Sequence, residues 1–348
     1  MALRLESHPM RSFASAMALL VLAAVVSGCV SLRPYEEVWK DPRVVRFVDV
    51  DGQRVHVEVR GSGEPVVLVH GFGGSVYSWR LVVPELSQTF QTIAIDLNGF
   101  GYTERPEARK AYSRTGQLDL LSGAMDALGV ESAHFVGHSY GGGLVLTLAH
   151  QRPERVRSVV AVNSVAPEWS ARGRRLKSIA SPVAPLFIRG WALRSRNIDR
   201  ALRRSFSDDE LVTPELVESY RERLRVEGAI RAFRNLGKPR GGSADLAAVP
   251  YEEIQQPILL VWGREDTLIP VEKARSAAAR MPHGHLTVLE DCGHMPMEEQ
   301  PGAFVAEVER FLSEGTRNET MAFKPSGSRI ISKWPPPMMA ASTRAFSS

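Results

Sequence analysis

The sequence predicts an α/β fold, in which helices cover both faces of a mostly parallel sheet and a helical cap is inserted above it. Short apolar runs alternate with helix-like segments over residues 44–167 and again over 250–313. Over 168–249 this alternation is lost, and the pattern is helical and rich in arginine. Residues 137–141 read G-x-S-x-G between an apolar run and a helical segment. Together these three observations predict an α/β core in two segments, interrupted by the cap at 168–249.

The composition is ordinary for a globular protein with a sizeable core. The 348 residues are 44% hydrophobic and 24% charged, and the net charge is +4. This mild charge gives no reason to expect nucleic acid as a partner. The two cysteines, Cys29 and Cys292, do not indicate a disulfide framework, and nothing in the sequence predicts an oligomeric state.

Residues 1–28 are predicted to be a signal peptide. Arg11 precedes an apolar stretch at 13–26, which is short for a membrane span, and small residues then lead to Cys29. The ending V-S-G-C at 26–29 resembles a bacterial lipobox, in which the cysteine is lipidated and begins the mature chain. This resemblance implies a protein of the bacterial cell envelope, lipid-anchored to a membrane through Cys29 and facing the periplasm or exterior. A plain signal peptide and an N-terminal membrane anchor are the alternatives.

The first segment of the core is predicted from β-branched runs and turn residues. After a tether at 29–43, the pair Asp51-Gly52 separates two strand-like runs and is typical of a hairpin. The run at 66–69 is continuously apolar, as expected of a strand buried on both faces. The predicted elements, in order, are strands at 44–50, 53–60 and 66–69, a helix at 79–86, a strand at 92–95, a helix at 117–128, a strand at 133–136, a helix at 144–150 and a strand at 156–162.

The cap at 168–249 is expected to cover Ser139, with Trp169 near the entrance to the site. Its basic residues can attract anionic lipid headgroups or acidic substrates, although a solvated helical face explains them as well. They are Arg172, Arg174, Arg175, Lys177, Arg194, Arg196, Arg200, Arg203 and Arg204.

Strand–helix alternation resumes after the cap. A strand at 258–262, a helix at 271–279, a strand at 286–289 and a helix at 301–312 are predicted there. Residues 314–348 show no periodicity and are predicted to be a disordered tail.

Ser139 is the predicted nucleophile. In a nucleophile elbow the serine occupies a strained turn between strand and helix, and small flanking residues let the two elements approach each other. The turn also places the backbone N–H of Tyr140 at the helix N-terminus, where it can donate to an oxyanion. The alternative is a glycine-rich turn that only packs a helix on the sheet.

A serine nucleophile needs a base, and the base needs a carboxylate to orient it. Because such groups gather at the carboxyl ends of parallel strands, we expect them just after later strands. Asp266 follows the strand at 258–262, and His294 follows the strand at 286–289. The order Ser139, Asp266, His294 is the one expected for a nucleophile elbow on this fold.

Other residues compete for these roles. Glu265 is the alternative acid, but a direct neighbour of Asp266 is expected to point elsewhere. His283 and His285 are alternative bases, but they precede or begin a strand and so lie at the wrong end of the sheet. His70, His134 and His138 are expected to serve packing or hydrogen bonding, and His56 and His150 carry no functional pattern.

A second oxyanion donor is expected in the glycine-rich loop at 70–74, which follows the strand at 66–69. Glycines let backbone approach a substrate closely, and the N–H of Phe72 is the predicted donor. An ordinary glycine turn is the alternative.

These motifs together resemble the α/β-hydrolase fold family. The matching segments are H-G-F-G-G at 70–74, D-L-N-G-F-G at 96–101, G-H-S-Y-G-G at 137–142, G-R-E-D at 263–266 and G-H at 293–294. The resemblance spans about residues 44–313 and implies a cap where 168–249 lies. Relatives with haloalkane dehalogenase or epoxide hydrolase activity carry an aspartate at the nucleophile position, so Ser139 argues against both activities.

The resemblance implies a serine hydrolase that acts on carboxylic esters through an acyl-enzyme, with a small ester or lipid-like molecule as substrate. No metal or organic cofactor is required by that chemistry. Lactonases, carbon–carbon bond hydrolases and cofactor-free haloperoxidases share the serine and remain alternatives, since the fold does not fix the substrate. A ligand receptor on the same fold is an alternative from a different class, which ligand response without turnover would favour.

Overall fold

The computed structural model describes residues 31–41, 46–164, 194–236 and 248–317. Cys29 and Trp169 lie outside these ranges, as do the predicted signal peptide, a large part of the predicted cap and nearly all of the predicted tail. Within the described residues, no helix combines the length and the apolar character that crossing a membrane would require.

The core is one sheet of eight strands in the order β1-β2-β4-β3-β5-β6-β7-β8. The first strand pairs antiparallel with the second, and the second antiparallel with the fourth, whereas all other neighbours are parallel. The strands are β1 Phe47–Val50, β2 Gln53–Arg60, β3 Pro65–Val69, β4 Gln91–Ile95, β5 Ala133–His138, β6 Val156–Val162, β7 Ile258–Gly263 and β8 Gly284–Leu289. A mostly parallel sheet therefore confirms the predicted fold class.

Helices connect the strands of this sheet. Described in chain order, they are α1 Tyr35–Trp39, α2 Val83–Leu86, α3 Arg114–Ala127, α4 Tyr140–Gln151, α5 Ser195–Arg203, α6 Pro214–Leu224, α7 Ala229–Leu236, α8 Glu272–Ala278, α9 Pro296–Glu299 and α10 Pro301–Arg317. Short 3-10 turns lie at Val76–Trp79, Arg109–Tyr112, Pro153–Arg155, Asp209–Leu211 and Tyr251–Glu253. The predicted helix at 79–86 is thus a 3-10 turn followed by one helical turn, and α10 runs on to Arg317, inside the predicted tail.

The middle of the sheet is buried on both faces. Every residue of β5 and of β7 is buried, which fits their continuous apolar runs. Ser139, Asp266 and His294 each follow a strand of this parallel region, so their backbones reach the same edge of the sheet.

The described part of the segment predicted to be a cap contains α5, α6 and α7. Helix α6 begins at Pro214 with the Thr213 side chain as its N-cap, accepting from Leu216 N at 3.2 Å. Helix α5 buries Ile198 and Leu202 and leaves its three arginines exposed, as an amphipathic surface helix does.

The N-terminal segment makes more contacts than a tether requires. Arg33 N donates to Arg225 O at 2.6 Å, and Glu227 N donates to Arg33 O at 2.8 Å, which joins this segment to the cap. Val38 is fully buried and packs in a small cluster with Tyr102 and Val226. The stretch at 31–41 is too short, and its apolar residues too irregularly spaced, to predict this docking from sequence.

Candidate active site

Ser139 lies in the sharp turn between β5 and α4. Its backbone has φ 49° and ψ −113°, a conformation that costs a non-glycine residue free energy and persists only where neighbours hold it. Ser139 N donates to Val162 O at 2.9 Å, Gly143 N donates to Ser139 O at 3.1 Å, and the hydroxyl of Ser164 donates to Ser139 O at 2.5 Å. The end of β6 therefore holds the strained serine in place.

Two glycines show how closely the neighbouring backbone approaches this turn. A Cβ on Gly141 would lie 2.3 Å from Val69 O, because the start of α4 rests on the end of β3. A Cβ on Gly71 would lie 2.6 Å from the His138 Nδ1 atom and 3.2 Å from the Ser139 Cβ atom. The loop after β3 therefore packs directly against the serine turn, and neither position accommodates a side chain.

His294 and Asp266 form a buried hydrogen-bonded pair. The Nδ1 atom of His294 lies 2.7 Å from Oδ2 of Asp266, and both side chains are almost fully buried. The other carboxylate oxygen, Oδ1, accepts from Leu268 N at 2.8 Å and Ile269 N at 2.9 Å. Because a carboxylate can only accept, Nδ1 of His294 carries the hydrogen and donates it to Asp266. Nε2 of the neutral ring therefore has no hydrogen and can accept a proton.

The environment of Asp266 favours its charged form. Burial by itself would raise the pKa of this carboxyl, but the hydrogen bond and charge of His294, together with bonds from Asn163 and Ile269, lower the pKa below its ordinary value. Asp266 is therefore a carboxylate at neutral pH and can stabilise a protonated His294.

Asn163 is a site residue that the sequence analysis missed. Its Nδ2 atom donates to Asp266 Oδ2 at 2.7 Å and to Gly293 O at 3.2 Å, so it bridges the loops that carry the acid and the histidine. It is fully buried and has φ 45°, which is uncommon outside glycine. A polar Asn-Ser pair directly after the apolar strand at 156–162 is the only pattern that could have indicated it.

The competing acid and bases lie elsewhere. Glu265 directs its carboxylate to Cys292 N, at 2.8 Å, and so braces the loop before His294. His285 lies near the N-terminal end of β8 and His283 just before that strand, at the edge of the sheet opposite to His294. These positions agree with the expectation that neither histidine serves Ser139.

His138 connects the serine turn to the histidine loop. Its Nε2–H donates to the backbone O of His294 at 2.7 Å, and the two imidazole rings lie 4.8 Å apart. Burial, followed by the charge of His294, lowers the pKa of His138 to about 3. His138 is therefore uncharged at neutral pH. Since it directly precedes Ser139 in the chain, its bond to the backbone of His294 ties the histidine loop to the serine turn.

The predicted oxyanion donors belong to the loop after β3 and to the start of α4, which meet at the serine turn. Phe72 occupies a tight turn in which Gly74 N donates to Gly71 O at 3.0 Å and Gly73 has φ 79°. Tyr140 is the first residue of α4, where backbone N–H groups have no acceptor within the helix.

Four aromatic side chains pack against one another beside the serine turn. We call them the aromatic entrance, and they are Phe72, Phe100, Tyr140 and Phe233. The Phe72 ring is 59% exposed, with centroids 5.2 Å from Phe100, 6.5 Å from Tyr140 and 6.3 Å from Phe233. Phe233 belongs to α7, so the cap contributes directly to this surface.

A second histidine–aspartate pair lies in the core. The Nδ1 atom of His56 is 2.7 Å from Oδ2 of Asp96, and both residues are buried. Asp96 also accepts from Val76 N at 2.7 Å and from Tyr102 N at 2.8 Å. Burial would raise the pKa of Asp96, but His56 above all outweighs it and lowers that pKa to about 2.

Within the described residues, no group of three or more histidine, cysteine, aspartate or glutamate side chains is arranged to hold a metal ion.

Comparison with known proteins gives a family match over most of the core. A family model described as alpha/beta hydrolase fold matches residues 64–301. The 2-hydroxymuconate semialdehyde hydrolase of Pseudomonas sp. strain CF600 is 32% identical over 292 residues, which covers 78% of this chain and 95% of that protein.

Solved structures give the same result. The meta-cleavage product hydrolase of Pseudomonas fluorescens IP01, solved as a serine-to-alanine mutant complexed with acetates, superposes with a TM-score of 0.66 and is 28% identical, covering 79% of this chain and 99% of its own. A structure described as Est816, an N-acyl homoserine lactone degrading enzyme, has a TM-score of 0.61 and 25% identity, covering 76% of this chain and 99% of its own.

Proposed function

The chain belongs to the α/β-hydrolase fold family, and on that premise we propose that it is a hydrolase in which Ser139, His294 and Asp266 act as one catalytic unit. The observation that carries this proposal is the 2.7 Å bond between His294 Nδ1 and Asp266 Oδ2, at the edge of the sheet where the strained turn holds Ser139.

The reaction follows from the roles that these groups can take. Ser139 Oγ attacks a carbonyl carbon of the substrate and transfers its proton to Nε2 of His294, while Asp266 stabilises the resulting imidazolium. The backbone N–H groups of Phe72 and Tyr140 hold the oxyanion. The bond next to the carbonyl carbon then breaks, the leaving atom takes the proton from His294, and water releases the acyl group from Ser139 by the same steps.

We propose that the first class of substrate is cleaved at a carbon–carbon bond next to a carbonyl group. The sequence by itself puts carboxylic esters first. Two of the relatives named above favour carbon–carbon bond hydrolysis instead. The match to this chain covers 95% of the 2-hydroxymuconate semialdehyde hydrolase and 99% of the meta-cleavage product hydrolase.

Esters or lactones are the second candidate, and the aromatic entrance favours them. Its four side chains, Phe72, Phe100, Tyr140 and Phe233, are uncharged, and one of them, Tyr140, directly follows Ser139 in the chain. Apolar surface of this kind suits an uncharged acyl chain or lactone. The similarity to an N-acyl homoserine lactone degrading enzyme points the same way.

One comparison of substrates separates the two classes. The purified protein is assayed with 2-hydroxymuconate semialdehyde and with p-nitrophenyl esters of graded chain length, and Ser139→Ala serves as the blank in both assays. Faster turnover of the semialdehyde supports carbon–carbon cleavage, and faster turnover of esters supports the second candidate. Ligand binding without turnover of either class would favour a receptor and contradict the proposal.

We also propose that Cys29 is lipidated and anchors the mature protein to a membrane of the cell envelope. The support is the basic, apolar and small-residue pattern that ends at this cysteine. Cys29→Ser should release an unlipidated protein from the membrane fraction. Mass spectrometry of the native protein that shows an unmodified residue 29 would contradict the proposal.

A further inference from the structure

The loop that carries His294 is bound by a carboxylate five residues further along the chain. Glu299 Oε1 lies 3.1 Å from Gly293 N and 3.0 Å from Met295 N, and Oε2 lies 3.0 Å from Gly293 N. The backbone N–H groups on both sides of His294 therefore donate to one side chain. A carboxylate accepts such bonds more strongly than a neutral group does.

The same carboxylate is bound by the cap. Glu299 Oε2 accepts from Ser207 N at 2.7 Å and from the hydroxyl of Ser207 at 2.6 Å. His294 N, between the two N–H groups that Glu299 holds, donates to Ser205 O at 2.7 Å. Three consecutive N–H groups of the histidine loop are thus fixed by Glu299 or directly by the segment that follows α5.

The packing leaves little space for this loop to shift. A Cβ on Gly293 would lie 2.7 Å from Ser207 N, 2.9 Å from Ser205 O and 3.0 Å from Glu299 Oε1. The same cap segment also touches the acid's loop, where the hydroxyl of Thr267 donates to Arg204 O at 3.4 Å. The backbone contacts fix the Cα atom of His294, and the bond from Nδ1 to Asp266 fixes the ring, so together they determine where Nε2 lies.

We propose that Glu299 is a positioning residue for His294 and that Ser207 couples it to the cap. The cap then determines the orientation of the catalytic base as well as the shape of the entrance. This inference rests on the proposed function, since it assigns Glu299 to the histidine that activates Ser139.

The test separates positioning from folding by measuring how a fluorophosphonate probe labels Ser139. The rate constant of labelling reports the activation of Ser139 by His294, whereas the final stoichiometry reports the fraction of protein with an intact site. The variants are Glu299→Ala, Glu299→Gln and Ser207→Ala. Glu290→Gln is the matched control, because Glu290 lies on the same loop and pairs instead with Arg264 at the surface, at 2.6 Å.

Glu299→Ala should slow labelling by roughly 10- to 100-fold at full final stoichiometry, since small misplacements of catalytic groups have effects of that size. Glu299→Gln keeps one acceptor oxygen for the loop and should recover part of this loss. Ser207→Ala should have a smaller effect than Glu299→Ala, and Glu290→Gln should label at the native rate.

A native rate constant in all three variants would overturn the inference, and so would a reduced stoichiometry at an unchanged rate constant, which indicates a purely structural role. If the native protein itself is not labelled at Ser139, the proposed function fails and this inference fails with it.

Discussion

Two buried histidine–aspartate pairs in this molecule have almost the same local geometry. The distance from histidine Nδ1 to aspartate Oδ2 is 2.7 Å both for His294 with Asp266 and for His56 with Asp96. In both pairs the carboxylate also accepts two backbone N–H groups from the loop that follows its strand or from a neighbouring turn. Hydrogen bonding to the carboxylate therefore does not distinguish a catalytic pair from a structural one.

The difference lies in what surrounds the second ring nitrogen. The Nε2 atom of His56 is buried and has no hydrogen-bond partner in the described part of the chain, and its ring lies 5.4 Å from the rings of both Phe47 and Tyr102. His294 instead lies beside His138, the residue just before Ser139. A histidine–aspartate pair becomes a catalytic candidate only where a nucleophile is placed next to it.

The largest expected effect is on turnover when the nucleophile or the base is removed. Ser139→Ala and His294→Ala should each lower kcat by roughly 10⁴- to 10⁶-fold, and the double variant should be little worse than either, because the residues act as one unit. Kinetics on whichever substrate class is turned over, with thermal melts as controls, measure this. If the loss of kcat in the double variant equals the product of the two single losses, Ser139 and His294 do not act as one unit.

Asp266→Asn should have the next largest effect, up to roughly 10⁴-fold in kcat, because the amide no longer holds the correct tautomer or stabilises the imidazolium. Asp96→Asn, the matched change in the other pair, should leave kcat of the folded protein within a few fold. Equal losses of kcat in the two variants would show that the two pairs do not differ in role.

Asp96→Asn should instead lower the free energy of unfolding, by about 1 to 3 kcal/mol, because it removes a buried carboxylate that accepts hydrogen bonds from His56, Val76 N and Tyr102 N. The folded-state pKa of Asp96, about 2, lies below its ordinary value of 3.8, so the stabilisation is complete above that ordinary value and is lost as the pH falls toward 2. Urea unfolding from neutral pH to about pH 3, within that window, should show the gap between native and variant protein narrowing in acid. A difference in the free energy of unfolding that stays constant over this pH range would contradict the lowered pKa of Asp96.

The smallest expected effect concerns the aromatic entrance. Phe233→Ala should raise KM by about 2- to 10-fold with little change in kcat, since one aromatic contact with an apolar substrate is lost. Leu211→Ala is the control, because Leu211 is also an apolar residue of the cap, at 40% exposure, and takes no part in the entrance. Equal KM values for the two variants would remove Phe233 from the substrate's path.

The comparison also shows which features a sequence reveals. The places of Ser139, Asp266 and His294 at one edge of the sheet can be predicted because each follows an apolar run that is recognisable as a strand, and parallel strands bring their carboxyl ends to one edge. The α/β fold is predicted for the same reason and is confirmed. Local patterns are sufficient because the residues that define them are adjacent in the chain.

Features that depend on distant contacts could not be predicted in this way. Asn163 bonds to Asp266 and Gly293, which lie 103 and 130 residues further along the chain. Glu299 also depends on a distant partner, Ser207, besides its near neighbours in the histidine loop. The pairing of His56 with Asp96 depends on the antiparallel register of β2 with β4, which the sequence leaves open. The docking of residues 31–41 on the cap depends likewise on long-range contacts.

The most direct test of the proposed catalytic unit is to identify the histidine that activates Ser139. Native protein, His294→Gln and His56→Gln are treated with a fluorophosphonate probe, and the adduct is located by peptide mass spectrometry. A single adduct on Ser139 is expected in the native and His56→Gln proteins, with labelling slowed by roughly 10²- to 10⁴-fold in His294→Gln, as loss of a general base requires. Labelling of His294→Gln at the native rate, or an adduct on a residue other than Ser139, would contradict it.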